Sequence, residues 1–195
     1  MSDKSNNIMY ATLVIILIIS GGLLVALSVL NSATGPSVIV VGEDGNQREV
    51  YLSEIMHQTD LVQAISGYEN RFNNTKDVGI YRGIKISDLI QFVGTMKPSD
   101  ILMVKASDGY LQNYTYSNVY PNASEYSRQG DMILAFSYNG TMVPDYIDGY
   151  RIMFVPSDGY YENADAIGTT ESMYYFGSAG SRCVSNVVEI SIISA

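Results

Sequence analysis

One cysteine, one histidine and a few acidic side chains limit the chemistry this chain can do. Cys183 is the sole cysteine, which excludes an intrachain disulfide and any cysteine-based zinc cluster. His57 is the sole histidine, which excludes metal motifs built on histidine pairs. A Ser–His or Cys–His site survives that count, but the contexts point elsewhere. His57 lies in a short apolar, helix-like segment, where a surface or packed histidine is the ordinary reading. Cys183 has only Arg182 beside it to lower its pKa and reads as a buried, idle thiol. The run DGYYENAD gathers Asp158, Glu162, Asn163 and Asp165, oxygen donors enough for Ca2+. Their spacing fits no standard calcium loop, so a solvated loop is expected. Dinucleotide and phosphate-loop glycine patterns, a nucleophile elbow and an EF-hand loop are all missing.

Charge narrows the partners. The formal net charge of the 195 residues is −9, with no basic run, which argues against a nucleic-acid ligand. Tyrosine is abundant, at 16, and tryptophan absent. Tyr110, Tyr114, Tyr116 and Tyr120 would offer a stacking platform if Tyr114 and Tyr116 shared a strand face. Ordinary strand-face tyrosines explain the same spacing. Asn73, Asn113, Asn122 and Asn139 each begin an N-x-[ST] sequon, more than chance favours, and suit a glycosylated exterior domain.

The elements that position these residues read as strand-rich. SVIVVGE and DLVQAIS are strands, with a turn at Asp44-Gly45. LSEIMHQ is a short helix capped by Ser53. ISDLIQFVG is a helix capped by Ser87, with Leu89, Ile90 and Val93 on its apolar face and Gly94 at its end. DILMVKA is a strand, and DMILAFSYNGTMV is a hairpin turning at Asn139-Gly140. RIMFVP is a buried strand, and the alternating VSNVVEISII is expected at a sheet edge. The tetrapeptide SDGY occurs at 107–110 and again at 157–160, each time after an apolar run, so both copies read as strand-to-turn junctions. The fold class is α+β, without a solenoid period.

Ahead of this domain lies an uncharged stretch from Ile8 to Leu30. As a helix it would span a bilayer core of about 30 Å. A cleaved signal peptide and a buried core helix compete with that reading; the length and the lack of a polar face favour a retained anchor. The expected organisation is a tail at 1–7, a membrane anchor at 8–30, a tether at 31–37 and a domain at 38–195. Lys4 before the stretch and Glu43 and Asp44 after it place the domain outside.

The order of segments resembles a known family. GYENR, GIYRGIKISDLIQFVG, VKASDGY, ILAFSYNGTMV, DGYRIMFVP and SRCVSNVVEISI follow one another as in the molybdopterin-binding domain of sulfite-oxidase-type oxidoreductases, notably small membrane-attached prokaryotic versions. The family's Y-x-G-V-x-L-x-D-L-L element matches Tyr81 to Ile90. Its S-D-G-Y strand end matches Ser107 to Tyr110, and its Leu-Ala strand with a following turn matches Leu134 to Gly140. Gly149 to Pro156 matches a Gly-x-x-Arg-strand-Pro element, one residue short. The last element, from Cys183 to Ile190, has Cys183 where tryptophan usually stands. The resemblance covers residues 38–193. It separates the SDGY copies, since only the first falls on a family signature.

The resemblance implies a mixed, strand-rich molybdopterin-binding-domain-like fold, and cofactor contacts at Asn70, Arg71 and Arg151. It departs from the family at the metal. Family members bind molybdenum through a cysteine before the R-G-V element, and ISGYENRF at 65–72 keeps Asn70 and Arg71 without one. A thiolate is the soft ligand such chemistry depends on. The expectation is therefore a membrane-anchored cell-surface binding or structural module with no cofactor, and with a cell-surface protein or glycan as partner. The alternative is a molybdopterin-dependent oxidoreductase, or an electron-transfer component, that binds the cofactor without thiolate ligation.

Overall fold

The computed structural model describes residues 35–167 and 178–194. The expected tail and anchor lie outside them, as does most of the expected tether. Among the described residues no helix is long and apolar enough to cross a membrane. Ser37, placed in the tether from sequence, is already the first residue of β1.

Two sheets share one core. The first has the order β2-β1-β10-β5-β6, built from β1 (Ser37–Val41), β2 (Gln47–Tyr51), β5 (Ile101–Ala106), β6 (Leu111–Thr115) and β10 (Val187–Ile193). Only β1 and β10 pair in parallel there. Inward residues alternate with outward ones along β1 and β5, as expected of a sheet covered on one face. The second sheet runs β3 (Val62–Glu69), β4 (Thr75–Lys85), β7 (Asp131–Tyr138), β8 (Thr141–Met142), with β9 (Arg151–Val155) also pairing β7. β9 is buried at every position and β7 at all but its ends, so their continuous apolar runs reflect cover on both faces. The free side of β9 turns back toward β3, where Ser66 Oγ donates to the Phe154 carbonyl at 2.7 Å. This curl needs a close approach of β4 and β7. At Gly83 a Cβ would meet the Ala135 Cα at 2.8 Å, next to a register shift between Arg82 and Gly83.

Helices are short: α1 (Leu52–Met56), α2 (Ile86–Ile90), α3 (Tyr116–Val119), α4 (Ala123–Gln129), α5 (Asn163–Ile167) and α6 (Ala179–Arg182). Ser53 and Ser87 are not the caps of α1 and α2; Tyr51 and Lys85 hold those positions. β2 and β4 run straight into the helices, so each helix begins before its serine. At α1 the Glu54 carboxylate accepts from the Tyr51 N–H at 3.0 Å instead. Gly94 does not end the helix itself, which stops at Ile90 with Gln91 as its cap. A turn runs on to Gly94, with φ at 142°, whose N–H donates to the Ile90 carbonyl at 3.1 Å, while Leu89, Ile90 and Val93 are buried as expected.

The last strand corrects a further expectation. β10 sits at the centre of its sheet, between β1 and β5, and not at an edge. Alternation along a strand reports one solvated face and is silent on whether its two edges are paired. The tyrosine platform also fails. Tyr114 is buried in β6, whereas Tyr116 opens α3 and stacks on Tyr120 with ring centroids 4.7 Å apart.

Candidate functional site: two buried arginines flanking the single cysteine

Arg151 opens β9 and is 4% exposed. A buried guanidinium must have its donors met, and β4, β3 and the loop before β9 meet them. One terminal nitrogen donates to Asp77 Oδ2 and to Asp148 Oδ2, each at 2.9 Å. The other donates to the Tyr68 hydroxyl at 2.8 Å, and Nε donates to the Cys183 carbonyl at 3.3 Å. The guanidinium also lies 4.9 Å from the centroid of the Tyr68 ring. Tyr68 donates in turn to Asp77 Oδ2 at 2.7 Å, and Tyr81 donates to the Asp77 carbonyl at 2.8 Å. Asp77 is held at φ of 49°, unusual for a residue with a side chain, so its position is set by these partners. Burial alone would raise the pKa of Asp77, but the hydrogen bonds from Tyr68 and Arg151 outweigh it and hold the carboxyl below its ordinary value. Burial pushes the Tyr68 hydroxyl up to about 12.

Cys183, at the C-terminal end of α6, is 3% exposed. Burial pushes its thiol up to about 12, against the opposing pull of Arg151 and Arg182. It is therefore a protonated core side chain at neutral pH. On its other side Arg182 is 5% exposed, with one terminal nitrogen donating to Asn118 Oδ1 at 2.8 Å. Its guanidinium lies 5.1 Å from the ring of Tyr114 and 5.8 Å from that of Phe154. Asn118 also donates to Gln129 Oε1, and Gln129 donates back to the Asn118 carbonyl. Among the described residues no carboxylate pairs with Arg182; aromatic faces and an amide take that role.

Asn70 and Arg71 lie elsewhere, at the tip of the β3–β4 hairpin. Asn70 Oδ1 accepts from the backbone N–H of Phe72 at 2.9 Å and of Asn74 at 3.1 Å, which makes it the turn-forming residue. Arg71 is exposed and lies over the Phe72 ring at 4.7 Å. Among the described residues no hydrogen bond or ion pair joins either one to Arg151. Sequence reasoning missed Tyr68, Asp77 and Asp148 as partners of Arg151. Asp148 is three residues away and was within reach of inspection, but Asp77 lies 74 positions off and carries no local signal.

His57 is exposed beyond α1, with Nδ1 at 2.5 Å from the Ser53 carbonyl. The SDGY copies form the same turn: Asp108 Oδ1 accepts from the Tyr110 N–H at 2.9 Å, and Asp158 Oδ1 from the Tyr160 N–H at 3.1 Å. In the acidic run, Asn163 is tied to β3 and its hairpin, with its N–H donating to Glu69 Oε2 and its side-chain amide to the Asn70 carbonyl. Among the described residues no group of three or more His, Cys, Asp or Glu side chains is placed to hold a metal ion.

These residues do not suit a molybdopterin. Arg151 spends its donors on two carboxylates, a phenol and a carbonyl, and Asp77 and Asp148 set negative charge where an anionic phosphate would have to approach. The one thiol is sealed and protonated. No family pattern matches the sequence, and no curated protein matches it. The fold is similar to that in the crystal structure of the sulfane dehydrogenase SoxCD from Paracoccus pantotrophus, with a TM-score of 0.53 at 12% identity. The likeness covers 82% of this chain and 38% of that one, so this chain spans well under half of its neighbour's length. At that identity the likeness is one of fold alone.

Proposed function

We propose that the chain is a membrane-anchored cell-surface module that binds or supports a partner on a molybdopterin-binding-like fold, without redox chemistry. The observation that carries this reading is the state of Cys183. It is the chain's only thiol, buried and pushed up to about 12, and it belongs to a different element from residues 65–72, where a family ligand would stand. A soft, charged sulfur donor is thus missing, and the hydroxyls and carboxylates nearby are hard donors that favour other metals. The uncharged stretch from Ile8 to Leu30 supports an anchor, and the exposure of Asn73, Asn113, Asn122 and Asn139 supports an exterior domain.

The alternative is a molybdopterin oxidoreductase, or an electron-transfer component, that holds the cofactor through Asn70, Arg71 and Arg151. The likeness of fold to a sulfane dehydrogenase favours it. Element analysis and pterin fluorescence separate the two, on full-length protein made in a host that synthesises molybdopterin. The module reading expects neither molybdenum nor pterin. Near-stoichiometric amounts of either would overturn it and make those three residues the first to mutate.

A further inference from the structure

Away from the arginines, a cavity of about 370 Å³ opens where β2, the α1–β3 connection, β4 and α2 meet. Its lining mixes chemistries. Ile84 and Phe92 form an apolar part, Arg48 a wall, and Gln58, Asp60, Asp88 and Gln91 a polar rim. The wall is pre-organised. Arg48 donates to Glu54 Oε1 at 2.6 Å and lies 4.7 Å from the centroid of the Phe92 ring, while Glu54 is itself fixed by the Tyr51 N–H. Asp60 and Asp88 have no ion-pair partner among the described residues. Gln91 makes only long contacts, 3.5 Å to the Ser87 carbonyl and 3.4 Å to Asp88.

We infer that this cavity binds a neutral saccharide of one or two rings, a reading that rests on the binding-module function above. An anion would face Asp60 and Asp88, since Arg48 is already matched by Glu54. An organic cation would match Asp60 and Asp88 but, having no acceptor, would leave the weakly engaged Gln91 amide unmet. A polyhydroxyl ligand satisfies both signs at once, because each hydroxyl donates to a carboxylate and accepts from a guanidinium or an amide N–H. The C–H face of a pyranose covers apolar surface of the kind the partly exposed Phe92 supplies, while Ile84, 1% exposed, only closes the floor. The volume lies at the small end of the range for small-molecule sites, roughly 300–1,000 Å³, which limits the ligand to one or two rings.

The test is calorimetric titration of the full-length chain in phosphocholine detergent micelles, with cellobiose, lactose and di-N-acetylchitobiose as probes. Glucuronate and spermidine serve as the anionic and cationic controls. At least one neutral disaccharide is expected to bind, and the double variant Asp60→Ala/Gln91→Ala to weaken it by about tenfold or more. Both substituted positions are exposed, so the melting temperature should hold, and that is measured alongside. Absence of binding by all three disaccharides, unchanged affinity in the variant, or binding of only glucuronate or spermidine would each overturn the assignment. Molybdenum content and membrane location are separate measurements, so failure here is distinguishable from failure of the module reading.

Discussion

Arg151 is where single side chains matter most. Its removal strands Asp77, Asp148 and Tyr68 and leaves a cavity beside Cys183. The two carboxylates are more than a third exposed and partly screened by water, so the loss falls at or just below the lower end for a broken buried pair. Arg151→Ala should destabilise the domain by about 2–3 kcal/mol in urea unfolding, and Arg151→Lys should recover only part, since an ammonium lacks the planar fork. Full recovery by lysine would show that charge alone suffices. Asp77 adds a pH signature. Its folded pKa is depressed, so in acid the unfolded chain binds more protons. The stability it contributes is present above the ordinary aspartate range near about 4 and is lost as pH falls through that range toward the folded value. Asp77→Asn, which tolerates the positive φ, should flatten the acid limb of a stability–pH curve and leave the neutral region level. An acid limb as steep as that of the parent protein would remove Asp77 from this role. Cys183 should resist thiol reagents at pH 8 while folded and react fully in denaturant; rapid labelling of the native protein would contradict its burial.

Among the elements, the β7–β8 hairpin is the sharpest local device. Asn139 and Gly140 take φ of 47° and 87°, both left-handed, as a two-residue type I′ turn requires. Asn139 Oδ1 also accepts from the Ile80 N–H at 2.9 Å and so ties the turn to β4. No atom crowds a Cβ at Gly140, so the cost of a branched side chain there is one of backbone conformation alone. Gly140→Val should therefore destabilise by about 1 kcal/mol or more, read as a lowered melting temperature. An unchanged melting curve would count against the turn. A second device is the start of α4, which sequence reading passed over. Asn122 Oδ1 accepts from the N–H groups of Ser124 and Glu125, and Glu125 reaches back to the Asn122 N–H at 3.1 Å. The asparagine-x-x-glutamate spacing at 122–125 was a readable signal, hidden among tyrosines that suggested a strand.

At the scale of the whole molecule, the location of the domain can be tested directly. Protease added to intact cells should digest it if the segment from Ile8 to Leu30 anchors it outside, and glycan mass should appear on one or more of Asn73, Asn113, Asn122 and Asn139. A domain protected until the membrane is broken would falsify that location. All four asparagines are exposed, and at Asn122 and Asn139 the side-chain oxygen makes the structural hydrogen bond. A sugar on the nitrogen would therefore leave both contacts in place.

What the sequence determined by itself was local. The Asn139-Gly140 turn, both SDGY turns and the buried run of β9 each follow from a few adjacent residues whose backbone preferences or burial pattern need no distant partner. Tertiary structure decided what depends on pairing across the chain. It set β10 between β1 and β5, where alternation had suggested an edge. It joined Arg151 to Asp77 across 74 positions, and Arg182 to Asn118 across 64. The physical reason is that strand order and charge pairing are fixed by sheet closure and by the need to satisfy buried donors. Neither leaves a mark on the residues nearby in sequence.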